Sequence, residues 1–288
     1  MKVYLHCDYI YQPDNWYKRF EFILKSKNID YKLIDLLRKD PDEELEDYED
    51  GDFLIGRFGH LEFDKSRIKP IYKDLHEKFK GKIFPKYITY FYYDEKDKQI
   101  ELFKKEKYPA PKNVFLENDS DIKKIKENCI DFPAVMKKTF GASSSNVSLI
   151  NSLSDISTPC IIEEFCPNND GDIRINVIGN RVMGFKRFNK ENDFRASGSG
   201  LIKYIEDLPS DCCELAYKIS KDNGFDSMAY DFVKNKNGEW VVLEMSYAYM
   251  DTAVRDCEYY YDMLSGEKKD KMGIYPEDFI LEDLLKLI

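Results

Sequence analysis

The dipeptide Asn237-Gly238, set between two β-like runs, constrains this chain more than any other feature. A two-residue hairpin turn needs positive φ at both central residues, and Asn followed by Gly accepts that at low cost. Read as such a turn, it pairs residues 227–233 with 239–245 and sets Asp231 directly opposite Glu244. Directly opposed residues share a sheet face. Two carboxylates there repel unless a cation lies between them. Ser246, two residues beyond Glu244, points to the same face. An acidic pair with a hydroxyl is an oxygen-only site that suits Mg²⁺ shared with phosphate oxygens. Solvated strand-edge carboxylates fit the same spacing. The neighbours Met228, Ala229, Phe232 and Val241-Val242-Leu243 are too apolar for a solvated hairpin, which favours strands inside a core.

Gly179-Asn180 separates a second pair of runs, 172–178 and 181–187. The same pairing puts Asp172 opposite Arg187, with Arg174 on their face and Ile173, Ile175 and Val177 on the other. Alone, this reads as a salt-bridged surface hairpin. Downstream stand Asp193, Arg195 and the small-residue run Ser197-Gly198-Ser199-Gly200. Basic side chains, a flexible loop and an acidic pair are the parts needed to hold a nucleoside triphosphate. Lys137 ends a mostly apolar strand, 132–138, a position that marks either a sheet edge or an anion site. The loop after it, 141–147, carries Ser143 and Ser144. Its small residues would let backbone N–H groups approach phosphates. It matches neither GxxxxGK[ST] nor GxGxxG, which disfavours a P-loop or a Rossmann fold.

Strand and helix signals alternate over the first hundred residues and predict a small parallel α/β unit. Val3–Leu5, 31–34 and 53–56 read as strands, and Trp16, Phe20, Ile23 and Leu24 recur at helical spacing. Pro70 is placed to open a helix carrying Ile71, Tyr72, Leu75 and Phe79, with Gly81 as its stop. Residues 41–51 are acidic and read as a solvated loop or helix face. Residues 108–111 mark a linker. A short helix follows, capped at Asp119 or Ser120, with Ile122, Ile125 and Cys129 on one side. Residues 160–165 form a strand, and 210–223 an amphipathic helix with Ser210 as N-cap and Gly224 as stop.

With 44 basic and 54 acidic residues the net charge is −10, so the chain has no general attraction for nucleic acid or anionic lipid. A hydrophobic fraction of 43% excludes a disordered chain. No apolar run approaches the ~20 residues of a membrane-spanning helix. The start reads as a strand and not as a signal peptide. Seven cysteines without a CxxC pair suit reduced thiols in a cytoplasmic protein.

Taken in order, five segments resemble the ATP-grasp superfamily over about residues 85–250. They are Phe132-Pro133-Ala134-Val135-Met136-Lys137, Ile162-Glu163-Glu164-Phe165, the hairpin opening Gly171-Asp172-Ile173-Arg174, the stretch from Lys186-Arg187 to Gly200, and Asp231 with Leu243-Glu244-Met245-Ser246. The style is that of the ribosomal-protein glutamate ligase branch and of relatives often found in polysaccharide gene clusters. The resemblance implies an α/β (α+β) fold in which two α+β subdomains grip ATP behind a small parallel α/β domain. The divisions would be 1–88, 89–165 (the lid) and 166–288 (with the metal site). It implies ATP and Mg²⁺ (or Mn²⁺) as cofactors. Lys96 and Lys137 would contact phosphates, as would the loop of Ser143 and Ser144. Main-chain groups of Glu164 and Phe165 would hold adenine beside Glu163, and Asp170 or Asp172 would reach the ribose. Asp231 and Glu244 would bind metal, with Ser246 where the family usually has Asn. Arg174, Arg187 and Arg195 would face the phosphates or an acyl phosphate.

The implied activity is carboxylate–amine ligation through an acyl phosphate, with small-molecule carboxylate and amine partners, neither nucleic acid nor membrane, and room for a homodimer. A kinase using a hydroxyl acceptor and a non-catalytic Mg-ATP-binding protein are the alternatives. Acceptor recognition would fall to the first domain and the C-terminal tail. Arg57, in Gly56-Arg57-Phe58-Gly59-His60, suits a carboxylate, though a surface salt bridge is the commoner use. The tyrosines between 247 and 261 read as pocket wall or as core.

Overall fold

The computed structural model describes residues 1–7, 16–58, 62–138 and 146–286. Ser143, Ser144 and His60 lie outside them. The chain begins with β1 (Val3–His6), α1 (Trp16–Ser26), β2 (Tyr31–Ile34), α2 (Pro41–Glu44), β3 (Phe53–Ile55), α3 (Glu62–Lys78) and β4 (Ile83–Phe84). These strands pair in parallel in the order β2-β1-β3-β4. Each residue of β1 is buried, as expected of a parallel strand covered on both faces. Helix α1 buries Trp16, Tyr17, Phe20, Ile23 and Leu24, the stripe its spacing predicts.

Pro70 does not open α3 but lies inside it. Ile68, Tyr72, Leu75 and Phe79 are the buried residues here, so the apolar stripe starts before the proline and carries the helix through it. Helices α4 (Tyr87–Phe91) and α5 (Lys96–Glu106) come next. A second sheet follows, of β5 (Asn113–Leu116), β6 (Ala134–Lys137), β7 (Val147–Ile150) and β8 (Cys160–Glu164), with α6 (Lys123–Glu127) against it. Its order is β5-β8-β6-β7, all antiparallel. The helical turn before α6 is capped by Asn118, one residue before the expected position. Asn118 and Asp121 form a reciprocal capping box. Cys129 lies past the helix with φ of 51° and is exposed, not part of the apolar side.

The third sheet is antiparallel and packs against the first. It contains β9 (Gly171–Ile178), β10 (Arg181–Phe188), β11 (Ile202–Lys203), β12 (Ser227–Lys234), β13 (Trp240–Ser246), β14 (Tyr259–Asp262) and β15 (Glu267–Asp270). Its order is β13-β12-β9-β10-β14-β15, with β11 on β10. Helix α7 (Ser210–Asn223) covers one face, its N-cap at Pro209 and not at Ser210, and its stop at Gly224 with φ of 71°. Helices α8 (Asp251–Arg255) and α9 (Pro276–Leu285) cover the other.

Three hydrophobic cores result. The first joins Tyr4, Leu54 and Tyr72 of the N-terminal unit to Ile175, Tyr230 and Phe232 of the large sheet. The second joins Leu5, Phe20 and Phe53 to Met183, Phe185 and Phe279. The third, with Val114, Leu116, Ile150 and Ile162, belongs to the middle sheet alone. Among the described residues no helix is long and apolar enough to cross a membrane.

Candidate active site

The register of β9 with β10 is the expected one, and Asp172 stands opposite Arg187. The register of β12 with β13 reaches the expected pair by another route. Gly238 does not sit in a two-residue turn. Its N–H bonds the Asn235 carbonyl at 2.9 Å and its φ is +82°, so it takes the left-handed position after a wider turn. That turn pairs Phe232 with Val242, one residue out of the expected register. A β-bulge at Leu243 then restores it, and Asp231 faces Glu244 after all. The bulge does more than correct the count. Val242 and Met245 both pack into the first core, while Leu243 and Glu244 between them both line a cleft. One inserted residue lets an apolar and an acidic side chain share a face.

The cleft lies between the middle sheet and the large sheet, with about 840 Å³ of open space including its mouth. Val135, Lys137 and Glu163 line it from one side. Asp172, Arg187, Asp231, Val233, Leu243 and Glu244 line it from the other. The connecting segment adds Glu164, Phe165 and Cys166, and the loop after β10 adds Phe194, Arg195 and Ser197. Phe165 and Phe194 meet edge to face across one end, centroids 5.8 Å apart. The Glu164 N–H donates to the Lys112 carbonyl at 2.7 Å, so it is already in use within the fold.

Each cation here holds a carboxylate. Arg174 grips Asp231 through two bonds of 2.7 and 2.8 Å. Arg187 grips Asp172 at 2.7 and 2.5 Å and reaches Asp231 at 2.8 Å. Lys137 meets Glu163 at 2.6 Å. Arg195 pairs with Asp193 at 2.7 Å and donates to the Val147 carbonyl at 3.1 Å. Lys96 opens α5. It is buried, 3.4 Å from both Asp94 and Glu244, in a side pocket with Lys137, Glu163 and Leu243. On the next turn of α5 the Gln99 amide donates to the Met245 carbonyl (2.9 Å) and accepts from its N–H (3.0 Å). It thereby fixes α5 against β13.

Burial works against the charge on Asp231, but Arg174 and Arg187 outweigh it and hold its carboxyl well below the usual range. Asp172 is pushed up, by burial first and then by the Asp231 charge. Burial also raises Glu163, with Lys137 opposing. Lys96 is disfavoured by burial yet ends above the ordinary lysine value, because Glu244 and Asp94 prevail.

Lys137, Glu163, Glu164, Phe165, Asp172, Arg187, Arg195, Asp231 and Glu244 therefore meet in one cleft, with Lys96 beneath it. Arg174 stands behind Asp231. Ser246 is opposite Ala229 and outside the cleft lining. Among the described residues no cluster of three or more His, Cys, Asp or Glu stands ready to hold a metal. Two carboxylates still fit Mg²⁺, which keeps most of its shell as water and phosphate oxygen. The cations now on those carboxylates are the groups a triphosphate would take over.

Sequence reasoning missed Asn176. It follows Arg174 on the same face, opposite Ala229, fully buried, and both carboxamide atoms lack a partner. Only its place in an alternating strand was visible beforehand.

Residues 93–255 match the family model of the RimK-like ATP-grasp domain. A sequence comparison with curated proteins finds no match. Among solved structures, a RimK-domain ATP-grasp protein from Sphaerobacter thermophilus shares 14% identity over 99% of this chain and 100% of its own, at a TM-score of 0.61. The macrocyclase MdnC from Microcystis aeruginosa, bound with its precursor peptide, shares 12% identity over 87% and 92%, at 0.61. The ATP-grasp ligase PsnB, complexed with a minimal precursor, Mg and ADP, shares 11% over 86% and 90%, at 0.59. At these identities the likeness speaks for the fold.

Proposed function

Because the chain belongs to the RimK-like ATP-grasp family, we propose that it is an ATP-dependent ligase joining a carboxylate to an amine through an acyl phosphate. The observation that carries this is Asp231 facing Glu244 in a cleft whose lysines and arginines are all held on carboxylates. The apolar slot of Val135, Val233, Leu243 and Phe165 suits adenine. Lys96, Lys137 and Arg187 then bind phosphate oxygens. Asp231 and Glu244 would hold Mg²⁺, which neutralises charge on the transferred phosphoryl group.

The substrate carboxylate oxygen attacks the γ-phosphorus, and the bond to the ADP oxygen breaks. The amine nitrogen then attacks the acyl carbon, phosphate leaves with that carboxylate oxygen, and the nitrogen loses its proton. Arg174, Arg187 and Arg195 offset the negative charge that develops on the phosphoryl oxygens. An amine arriving unprotonated needs no strong base, which suits a chain with three histidines.

The test is an ADP-release screen of amino acids, uronic acids and peptides in pairs, with Asp231→Asn as blank. A productive pair is repeated with oxygen-18 in the carboxylate. Label in the released phosphate is expected. A phosphorylated product with unlabelled phosphate would point to a kinase, and no stimulation above the blank would sink the ligase reading.

A further inference from the structure

Asn176 stands on β9 two residues past Arg174, about 7 Å along the same face. It is fully buried, and neither carboxamide atom finds a partner among the described residues. A buried amide left unsatisfied is costly and calls for a physical reason. Its cross-strand neighbours on that face are Ala229 of β12 and Met183 of β10, which offer no strong hydrogen-bonding group. Both belong to the second core with Tyr249, Ala253 and Val254. That covering segment is clamped from the N-terminal unit. Arg19 binds Asp251 and Glu277, and Arg57 binds Asp251 and the Tyr249 carbonyl. So held, the segment seals Asn176 from solvent.

Arg174 has the complementary problem. A carboxylate such as Asp231 offers about four acceptor positions on its two oxygens. Arg174 takes one on each oxygen, and Arg187 takes a third. A divalent cation arriving on Asp231 would meet two guanidinium charges, so one of them must give way. Arg187 keeps Asp172, which it holds at both oxygens. Arg174 has no partner but Asp231 among the described residues. Along its own strand face it stands between Asp172, already taken, and Asn176, idle. Ala229, opposite Asn176, has too short a side chain to bar the way.

We propose that Asn176 is the second seat of Arg174. In the unloaded protein Arg174 covers Asp231 and the carboxamide stands unused. When a divalent cation and nucleotide take Asp231, the guanidinium turns along β9 and donates to the Asn176 oxygen, which holds it beside the phosphoryl group. A neutral acceptor suits this task, since a third carboxylate there would compete for the cation. The inference rests on the ATP-dependent reading of the cleft and deepens it by naming a positioning residue that acts through Arg174.

Two apolar replacements, Asn176→Val and Asn176→Leu, bracket the fit of the side chain. A residue that merely supports the fold would lower the melting temperature when replaced. Here the unloaded protein should gain, with Tm rising by about 2–6 °C in at least one variant, because an unsatisfied amide leaves the core. The same variant should bind a non-hydrolysable ATP analogue with Mg²⁺ about 10-fold more weakly than the wild type by calorimetry. A crystal structure of the wild type with that analogue and Mg²⁺ should show Arg174 donating to Asn176 and no longer gripping Asp231 through two bonds. Lower melting or failed folding in both variants, unchanged affinity, or Arg174 still on Asp231 in the loaded crystal overturns the proposal and leaves the nucleotide reading intact. A wild type that binds no analogue sinks the nucleotide reading and this inference with it.

Discussion

Asp231 accepts from two guanidinium groups in a place almost closed to water. Removing one member of such a cluster leaves an uncompensated buried charge, at a cost of about 3–5 kcal/mol. Asp231→Asn keeps the shape and one acceptor but not the charge, so it bears part of that cost, and thermal unfolding of the variant shows how much. His6 shows the opposite use of burial. Its Nδ1 accepts from the Leu36 N–H at 3.3 Å, its Nε2 has no partner, and its ring stacks on Phe58. Burial, opposed by Asp35, lowers its pKa from 6.5 to about 4. The unfolded chain therefore binds the proton more readily between those values. Stability contributed by neutral His6 is complete above 6.5 and is lost as pH falls toward 4. The loss is about 3 kcal/mol between pH 7 and pH 4. Urea unfolding at both pH values should show that loss in the wild type and much less of it in His6→Gln. An equal acid loss in both proteins would remove His6 as the cause. Site residues were legible where a charge sits in an apolar strand, as Lys137, Arg174 and Asp231 do. Asn176 and Arg19 were not: the buried carboxamide of Asn176 has no partner to be read, and the carboxylates that Arg19 binds stand more than two hundred positions away.

Elements carry the site through two local irregularities. The bulge at Leu243 was invisible in the sequence, since a bulge leaves no composition signal and the Asn-Gly pair invited a tighter turn. The pairing of Asp231 with Glu244 came out as expected because two displacements cancel: a longer turn and one inserted residue. Helix α5 was missed because its acids and lysines alternate like a solvated segment, while Lys96, Gln99, Leu102 and Phe103 hide on its inner face. The second irregularity is Gly171, where β9 begins. A Cβ there would run into the backbone carbonyl of Arg187, across the strand pair that carries the Asp172–Arg187 bridge. Gly171→Ala should push the strands apart, destabilise the protein by about 1–3 kcal/mol and weaken ATP-analogue binding. Thermal unfolding and calorimetric titration check both; an unchanged affinity would mean that the bridge tolerates the shift.

At the scale of the molecule, two cores bind the N-terminal unit and the large sheet together, and the third encloses the middle sheet by itself. The strand–helix alternation showed that a parallel unit existed, but not that it shares its interior with strands a hundred and seventy residues later. Such contacts are a property of the folded chain and leave no local trace. The middle sheet should open as its own unit, with amide exchange in β5, β6, β7 and β8 governed by a smaller free energy than in β9 or β12, and an ATP analogue should raise it. Exchange at one common rate across all three sheets would contradict this. One further feature reaches beyond a single molecule. β13 is an outermost strand, and two of its outward amides are occupied: Val242 by the Pro109 carbonyl and Met245 by the side chain of Gln99. The same glutamine that steadies the acidic strand also denies that border to a foreign chain, so a mutation chosen to loosen the enzyme there would expose an adhesive margin and invite self-assembly into filaments.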